Sequence, residues 1–226
     1  DAALAQFVAK FDRMHRLTTM TNGTEVLNVG ADNYPYPIPL AQSGGTWHFD
    51  SAAGIREVGI RHIGANELLA LDAVDVIAGA EEAYRANAKE REVETYAQQI
   101  FSSDGKRDGL YWVVTANEEP SPLAELGEVI QNQSAMNAPL VLDGYTFRIL
   151  TSQGASAKGG AMSYVKGGHM TDGFAVLATP VDYGTSGIAS FMRGADGVVY
   201  EKDLGADTAK IAAGITAYEP GDGWKS

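Results

Sequence analysis

Asp104 and Asp108 stand four residues apart in Ser103-Asp-Gly-Lys-Arg-Asp-Gly109. Carboxylates on a Gly-rich turn suit Ca²⁺, which takes about six to eight oxygen ligands. The loop departs from the EF-hand pattern, and Lys106 and Arg107 lie between the acids. A turn shaped by Asp and Gly, with a cation paired to an Asp, is therefore the competing expectation. The aromatics Tyr34, Tyr36, Trp47, Phe49, Tyr111 and Trp112 bear on a different chemistry. Tyr34, Tyr36, Trp47, Tyr111 and Trp112 suit a ligand groove for a peptide or glycan, against the alternative of core and edge packing. His15, His48, His62 and His169 stand singly, without the spacing of a zinc site and without His-Glu-x-x-His. His169, in Gly-Gly-His-Met, is the reserve ligand among them. Ser163-Tyr-Val-Lys166 matches Ser-x-x-Lys, but its stretch alternates like a strand. In serine acylases that serine opens a helix. Residues 154–160 contain Gly and Lys without the phosphate-loop spacing.

The composition narrows the function classes further. The 226 residues carry a formal charge of −12 and no cysteine. Disulfides, thiolate metal sites and cysteine nucleophiles are excluded. Sequence-independent nucleic-acid binding needs Lys and Arg against phosphates, so no nucleic-acid partner is expected. No apolar run reaches the length of a membrane span, so no membrane span is expected. Asp1 falls just before a helical pattern, which reads as a processed start with a segment upstream.

The elements that must position these residues follow from periodicity. Residues 1–17 read as an amphipathic helix with Ala2, Leu4, Phe7, Val8, Phe11, Met14 and Leu17 on one face. An Asn22-Gly23 turn leads to a strand at 24–29. Prolines at alternate positions in Tyr34-Pro-Tyr-Pro-Ile-Pro-Leu40 give an extended edge segment. Trp47 and Phe49 share one face of a strand, with His48 on the other. A long helix is expected over 64–99, with Leu69, Ala73, Val76, Ile77, Ala80 and Tyr84 on its core face and Asp72, Asp75, Glu81 and Glu82 elsewhere. Glu90 and Glu94 belong to its solvated half. A short helix at 123–130 precedes strands at 145–150, 162–165, 173–178, 187–192 and 198–201. Residues 219–224 read as a tail. The expected class is α+β: an N-terminal helix with a small antiparallel sheet (1–63), then a long helix packed on a four-stranded antiparallel sheet (64–226).

Two resemblances follow from these motifs. Tyr34-Pro-Tyr-Pro-Ile-Pro-Leu40, Trp47-His-Phe-Asp50, Ile63-Gly-Ala-Asn-Glu-Leu68, Gly105-Lys-Arg-Asp-Gly-Leu-Tyr-Trp112, Gly144-Tyr-Thr-Phe-Arg-Ile-Leu150, Thr185-Ser-Gly187 and Val198-Val-Tyr-Glu-Lys-Asp-Leu-Gly205 run through nearly the whole chain. Together they resemble the bacterial exported family called domain of unknown function 2950. That resemblance implies a periplasmic or cell-surface protein, made with a signal peptide, and it brings no assigned catalytic residues. Residues 66–205 also resemble a type IV pilin headgroup, through Asn66-Glu67 before an apolar helix and the strands from Gly144-Tyr145 to Asp196-Gly197-Val198. The implied role is a non-enzymatic structural or assembly protein. Its partners would be itself or other exported surface proteins, joined through edge strands of the C-terminal sheet. The alternative is a periplasmic ligand-binding module built on the aromatic segment 34–49.

Overall fold

A computed structural model describes residues 2–87, 93–114, 118–131, 139–221 and 223–226. Two compact units divide the chain, Asp1–His62 and Ile63–Ser226. Helices and antiparallel sheets alternate in the order expected, giving a mixed α+β protein.

The first unit opens with α1, Ala2–Arg13, followed by β1, His15–Thr19. The expected helix thus stops four residues early, and Leu17 lies in a strand. The cause is the Asn22-Gly23 turn, which folds β1 back on β2, Glu25–Val29, in the register His15↔Val29 to Thr19↔Glu25. Gly23 takes φ +81°, and the Asn22 side chain accepts from the Thr24 main chain at 3.1 Å. β3, Tyr34–Pro35, β4, Leu40–Ser43, and β5, Thr46–Phe49, complete the sheet. Its order is β1-β2-β4-β5, with β3 alongside β2. The proline-bearing β3 is a two-residue addition, as the missing donors require.

The long helix α2 runs from Ser51 to Ala86, so it starts thirteen residues before the expected position and ends well before 99. Asp50 caps it, with its carboxylate accepting from Ala53 N–H at 3.0 Å. Glycines at 54, 59 and 64 dilute the apolar pattern there and hid the start. Gly54 is required: a Cβ would sit 2.7 Å from Ile38 Cγ1. Glu94, expected on the solvated half of this helix, lies beyond its end, and Glu90 lies outside the described residues.

In the second unit the core face of α2 is Ala70, Val74, Ile77, Ala78, Glu81 and Tyr84. Leu69 and Val76, assigned to that face by spacing, are exposed. The expected face was rotated by one residue because Glu81, a charged type, was placed on the solvent side. The expected short helix is present as a 3₁₀ turn, Ala124–Leu126, running into α3, Gly127–Gln131. Then come β6, Leu140–Leu142, and β7, Tyr145–Leu150. Two small antiparallel pairs follow: β8, Ser152–Gln153, with β9, Met162–Ser163, and β10, Val165–Lys166, with β11, His169–Met170. The expected strand at 162–165 is thus split and stays out of the main sheet. The main sheet has five strands in the order β14-β13-β12-β7-β6, all antiparallel. Here β12 is Ala175–Pro180, β13 Ala189–Gly194 and β14 Val199–Asp203.

Both faces of this sheet are covered. Along β12, Val176 and Ala178 join Tyr145, Phe147 and Phe191 in the core that includes the α2 residues. Ala175 and Leu177 join Leu150, Met192 and Tyr218 in a second core, as the two-residue strand period requires. α4, Thr208–Gly214, contacts β12, and the half-buried Arg148 guanidinium donates to Ala212 O and Ile215 O at its C-terminal end. The expected tail is structured. Lys225 exchanges two main-chain hydrogen bonds with Glu201 on β14, and Glu219 accepts from Ser156 N–H at 2.6 Å.

Candidate functional site

The sequence-singled residues fall into separate places. In the first unit Tyr36 lines a cleft of about 550 Å³ together with Thr18, Met20, Asn22, Asn28, Pro37, Pro39, Glu57 and Arg61. One wall is the face of β1 and β2. The proline segment and the first turns of α2 make the other side. Prolines at 35, 37 and 39 keep the segment extended, so it lines the cleft without folding into the ladder. Arg61 is committed to bracing: it donates to Glu57 Oε1 at 2.8 Å and to Pro35 O at 2.7 Å, and stacks 5.7 Å above the Tyr34 ring. Asn28 donates to Thr18 Oγ1 at 2.9 Å and Val26 O at 3.2 Å. Tyr36 itself is pinned by Phe7 at 5.5 Å and Phe49 at 5.9 Å between ring centroids. Tyr34 and Trp47 are about half exposed, and neither lines the cleft.

In the second unit Tyr111 is core, with 3% exposure. Its main chain pairs with Ile100 and Ser102, so it offers a ligand no surface. Trp112 carries the Arg107 guanidinium at 5.5 Å, and Arg107 also approaches Glu118 at 3.9 Å. This cation thus meets Glu118 and an aromatic face. Asp108 Oδ1 accepts from Ser103 N–H at 2.8 Å and Gln99 Nε2 at 3.0 Å, and Oδ2 accepts from the Ser103 hydroxyl at 3.0 Å. Burial alone would raise this carboxyl, but those donors hold it below the usual carboxylate range. Its oxygens therefore serve the loop itself. Among the described residues, no cluster of three or more His, Asp or Glu side chains is placed to hold a metal ion.

The other candidate chemistry dissolves locally. Ser163 Oγ both donates to Val165 O and accepts from Val165 N–H, each at 3.1 Å. Lys166 pairs with Asp172, so serine and lysine are not coupled. His15 is stacked on Phe11 at 4.0 Å, with Nδ1 2.9 Å from Phe11 O. His169 borders a hollow of about 310 Å³ with Tyr84, Thr95, Arg107 and Asp108.

One constellation was missed. Glu81 is fully buried, with Oε2 accepting from Ala97 N–H at 2.8 Å and Oε1 without a hydrogen-bond partner. Burial pushes its carboxyl well above the usual range, the Ala97 N–H opposes this, and Glu82 adds to the rise. Burial thus favours its protonated form inside the core. No sequence signal marks it, because Glu81-Glu82 reads as a solvated pair.

Several motifs noted in the sequence converge on a different task. Glu67 Oε1 accepts from Ile188 N–H at 2.9 Å and Ala189 N–H at 3.0 Å, and Asn66 donates to Ser186 O at 2.9 Å. Tyr145 donates its hydroxyl to Ala189 O at 2.8 Å. Burial, reinforced by Glu67, raises this phenol, which keeps it a donor. Gly187 lies so close that a Cβ would be 2.1 Å from the Tyr145 hydroxyl. Asn66-Glu67, Gly144-Tyr145 and 185–187 thus lock α2 to the entry of β13.

A family profile described as "Protein of unknown function (DUF2950)" matches residues 1–226. The chain belongs to this family. No curated protein and no solved structure matches it. In this DUF2950 chain the motifs singled out in the sequence map to a helix–sheet lock, the Asp108 loop and the proline-lined cleft. Among the described residues no helix is long and apolar enough to cross a membrane.

Proposed function

We propose that the protein is a non-enzymatic, exported structural or assembly protein, located in the periplasm or at the cell surface, whose N-terminal unit is its interaction module. One observation carries this reading. Of the large apolar side chains in residues 2–62, only Val29 is in the core, whereas eleven are exposed: Leu4, Val8, Met14, Leu17, Met20, Tyr34, Trp47, Phe49, Ile55, Val58 and Ile60. A unit of this size needs more buried apolar surface to stand alone, and these side chains offer apolar area that a partner can cover. Each such side chain contributes roughly 1.5–3 kcal/mol on full burial. Covering half of the exposed set yields on the order of 10 kcal/mol gross, comparable with the cost of association.

The charge distribution agrees. Residues 1–62 carry six acidic and five basic side chains, against 23 and 12 in 63–226. The near-neutral unit accepts a close neighbour, while the acidic unit repels its own kind. The C-terminal sheet is less suited to joining than its edges suggest. β14 is paired at Glu201 by Lys225, and β6 has only three residues. Sedimentation velocity of the intact chain over a wide concentration range tests the reading. Concentration-dependent oligomers support it. A monomer throughout, with no exported partner captured in cross-linking from its own envelope, overturns it.

The cleft beside Tyr36 favours a second reading, a ligand-binding module. A thermal-shift screen of peptides and glycans tests it: stabilisation that disappears in Tyr36→Ala supports ligand binding, and no stabilisation by any compound removes it.

A further inference from the structure

We infer that β1, His15–Thr19, is a self-pairing edge through which two copies of this chain join their N-terminal sheets in an antiparallel strand pair. The inference rests on the assembly reading above and names its contact. Gly30 N–H donates to Met14 O and Met20 N–H donates to Thr24 O, each at 2.8 Å, at the two ends of the β1–β2 ladder. Hydrogen-bonded pairs alternate along an antiparallel ladder. Arg16 and Thr18 therefore make the inner bonds to β2, and the main-chain N–H and C=O groups of His15, Leu17 and Thr19 point off the sheet. β1 ends the strand order, so among the described residues no strand covers that side. All five residues of β1 are exposed, Leu17 at 54%.

Open edges are normally blunted by shortness, proline, bulges or a covering segment. The terminal strands of the main sheet have such guards: β6 is three residues long, and β14 carries Glu201, Lys202 and Asp203 and takes the Lys225 main chain. β1 has five residues, no proline and no covering strand.

The occupant follows from register and charge. About a two-fold axis at Leu17, Leu17 faces Leu17 of the second copy, Arg16 faces Thr18 and His15 faces Thr19. No like charges stand opposite each other, and a β-branched residue meets each polar partner, as stable cross-strand pairs require. All three outward residues enter hydrogen-bonded pairs. The same operation on β5, Thr46–Phe49, offers two outward residues, Trp47 and Phe49, and sets His48 against His48. The symmetric arrangement closes as a dimer, and the near-neutral unit brings the two copies together without the repulsion that the acidic unit would impose.

Two variants of the full chain test this. Leu17→Pro removes an outward N–H and leaves the inner ladder intact, a position where an edge strand tolerates proline. It is expected to lower the dimer association constant at least tenfold in sedimentation equilibrium, with circular dichroism unchanged. Leu17→Cys introduces the chain's sole thiol. A facing pair on the axis has Cα atoms about 5.5 Å apart, within disulfide reach, so mild oxidation is expected to give a covalent dimer. Val58→Cys, an exposed position off the edge, is expected to stay monomeric under the same oxidation. An oligomer indifferent to Leu17→Pro, with no Leu17→Cys cross-link, overturns the edge inference and leaves the assembly reading standing. A wild-type chain that is monomeric at every concentration overturns the edge inference, and the assembly reading falls with it only if cross-linking also captures no exported partner. If the proline variant loses its circular dichroism signal, the cross-linking result alone decides.

Discussion

Replacing Glu81 by Gln isolates the electrostatics of the core. The side chain is fully buried on α2, its one hydrogen bond comes from Ala97 N–H, and Oε1 has no partner. Gln keeps the shape and the acceptor for Ala97. Burial raises the native carboxyl well above the ordinary value, with a further rise from Glu82. The sign follows from linkage. Between the ordinary carboxylate value and the raised one, the folded chain holds a proton that the unfolded chain has released. Stability therefore falls with rising pH through this window, by about 1.4 kcal/mol per pH unit. For a unit of this size that corresponds to a drop of roughly 3–6 °C in melting temperature per pH unit. Glu81→Gln has no such proton. Near the ordinary carboxylate value the two proteins are expected to melt alike. Above it the variant melts higher, by a margin that grows with pH up to the raised value. Differential scanning calorimetry from acid to mildly alkaline pH reads the difference directly, because every other group titrates in both proteins. Parallel melting curves for wild type and variant at all pH values would refute the argument that burial raises this acid.

Other outcomes follow from the same geometry. Gly187→Ala drives a methyl into the Tyr145 hydroxyl inside a fully packed core, and is expected to destabilise by about 2–4 kcal/mol in urea unfolding, combining overpacking with loss of the Tyr145–Ala189 hydrogen bond. Glu67→Gln replaces a carboxylate that accepts two main-chain donors, and is expected to cost about 1–3 kcal/mol by the same measurement. Asp108→Ala unties Ser103 and Gln99. Because the Asp108 carboxyl is held low, its stabilisation is present above the ordinary carboxylate value and is lost as pH falls through the lowered one. The variant's deficit in melting temperature is thus expected to shrink in acid. Adding Ca²⁺ to the wild type is expected to leave its melting temperature unchanged, since the Asp108 oxygens are engaged within the loop.

The strong local signals were legible from the sequence. The Asn22-Gly23 turn, the proline-guarded edge and the alternating strands of the main sheet follow from turn chemistry and period. The α+β order follows from them. What failed were cases where tertiary contacts override local pattern. Leu17 fits the apolar stripe of α1 but lies in β1, because the Asn22-Gly23 turn recruits it as a strand partner. Three glycines masked the first third of α2, and the Asp50 cap that starts it was passed over. Glu81 was assigned to solvent by its type, which rotated the predicted core face. Of the candidate site, Tyr36 lines a cleft, whereas Tyr111 is core and Asp108 is a loop brace. Aromatic and acidic residue types alone do not distinguish these fates. The exposed apolar surface of the N-terminal unit becomes visible only when burial is known, since apolar type alone does not separate an exposed side chain from a buried one.

The central claim is that this exposed surface is where the protein assembles. The most direct test is sedimentation velocity of the intact chain from micromolar to near-millimolar concentration, beside a variant carrying Leu17→Lys and Trp47→Lys. The account predicts that the wild type shifts to a larger species as concentration rises and that the variant remains a folded monomer. Superimposable sedimentation profiles for the two proteins across that range would contradict it.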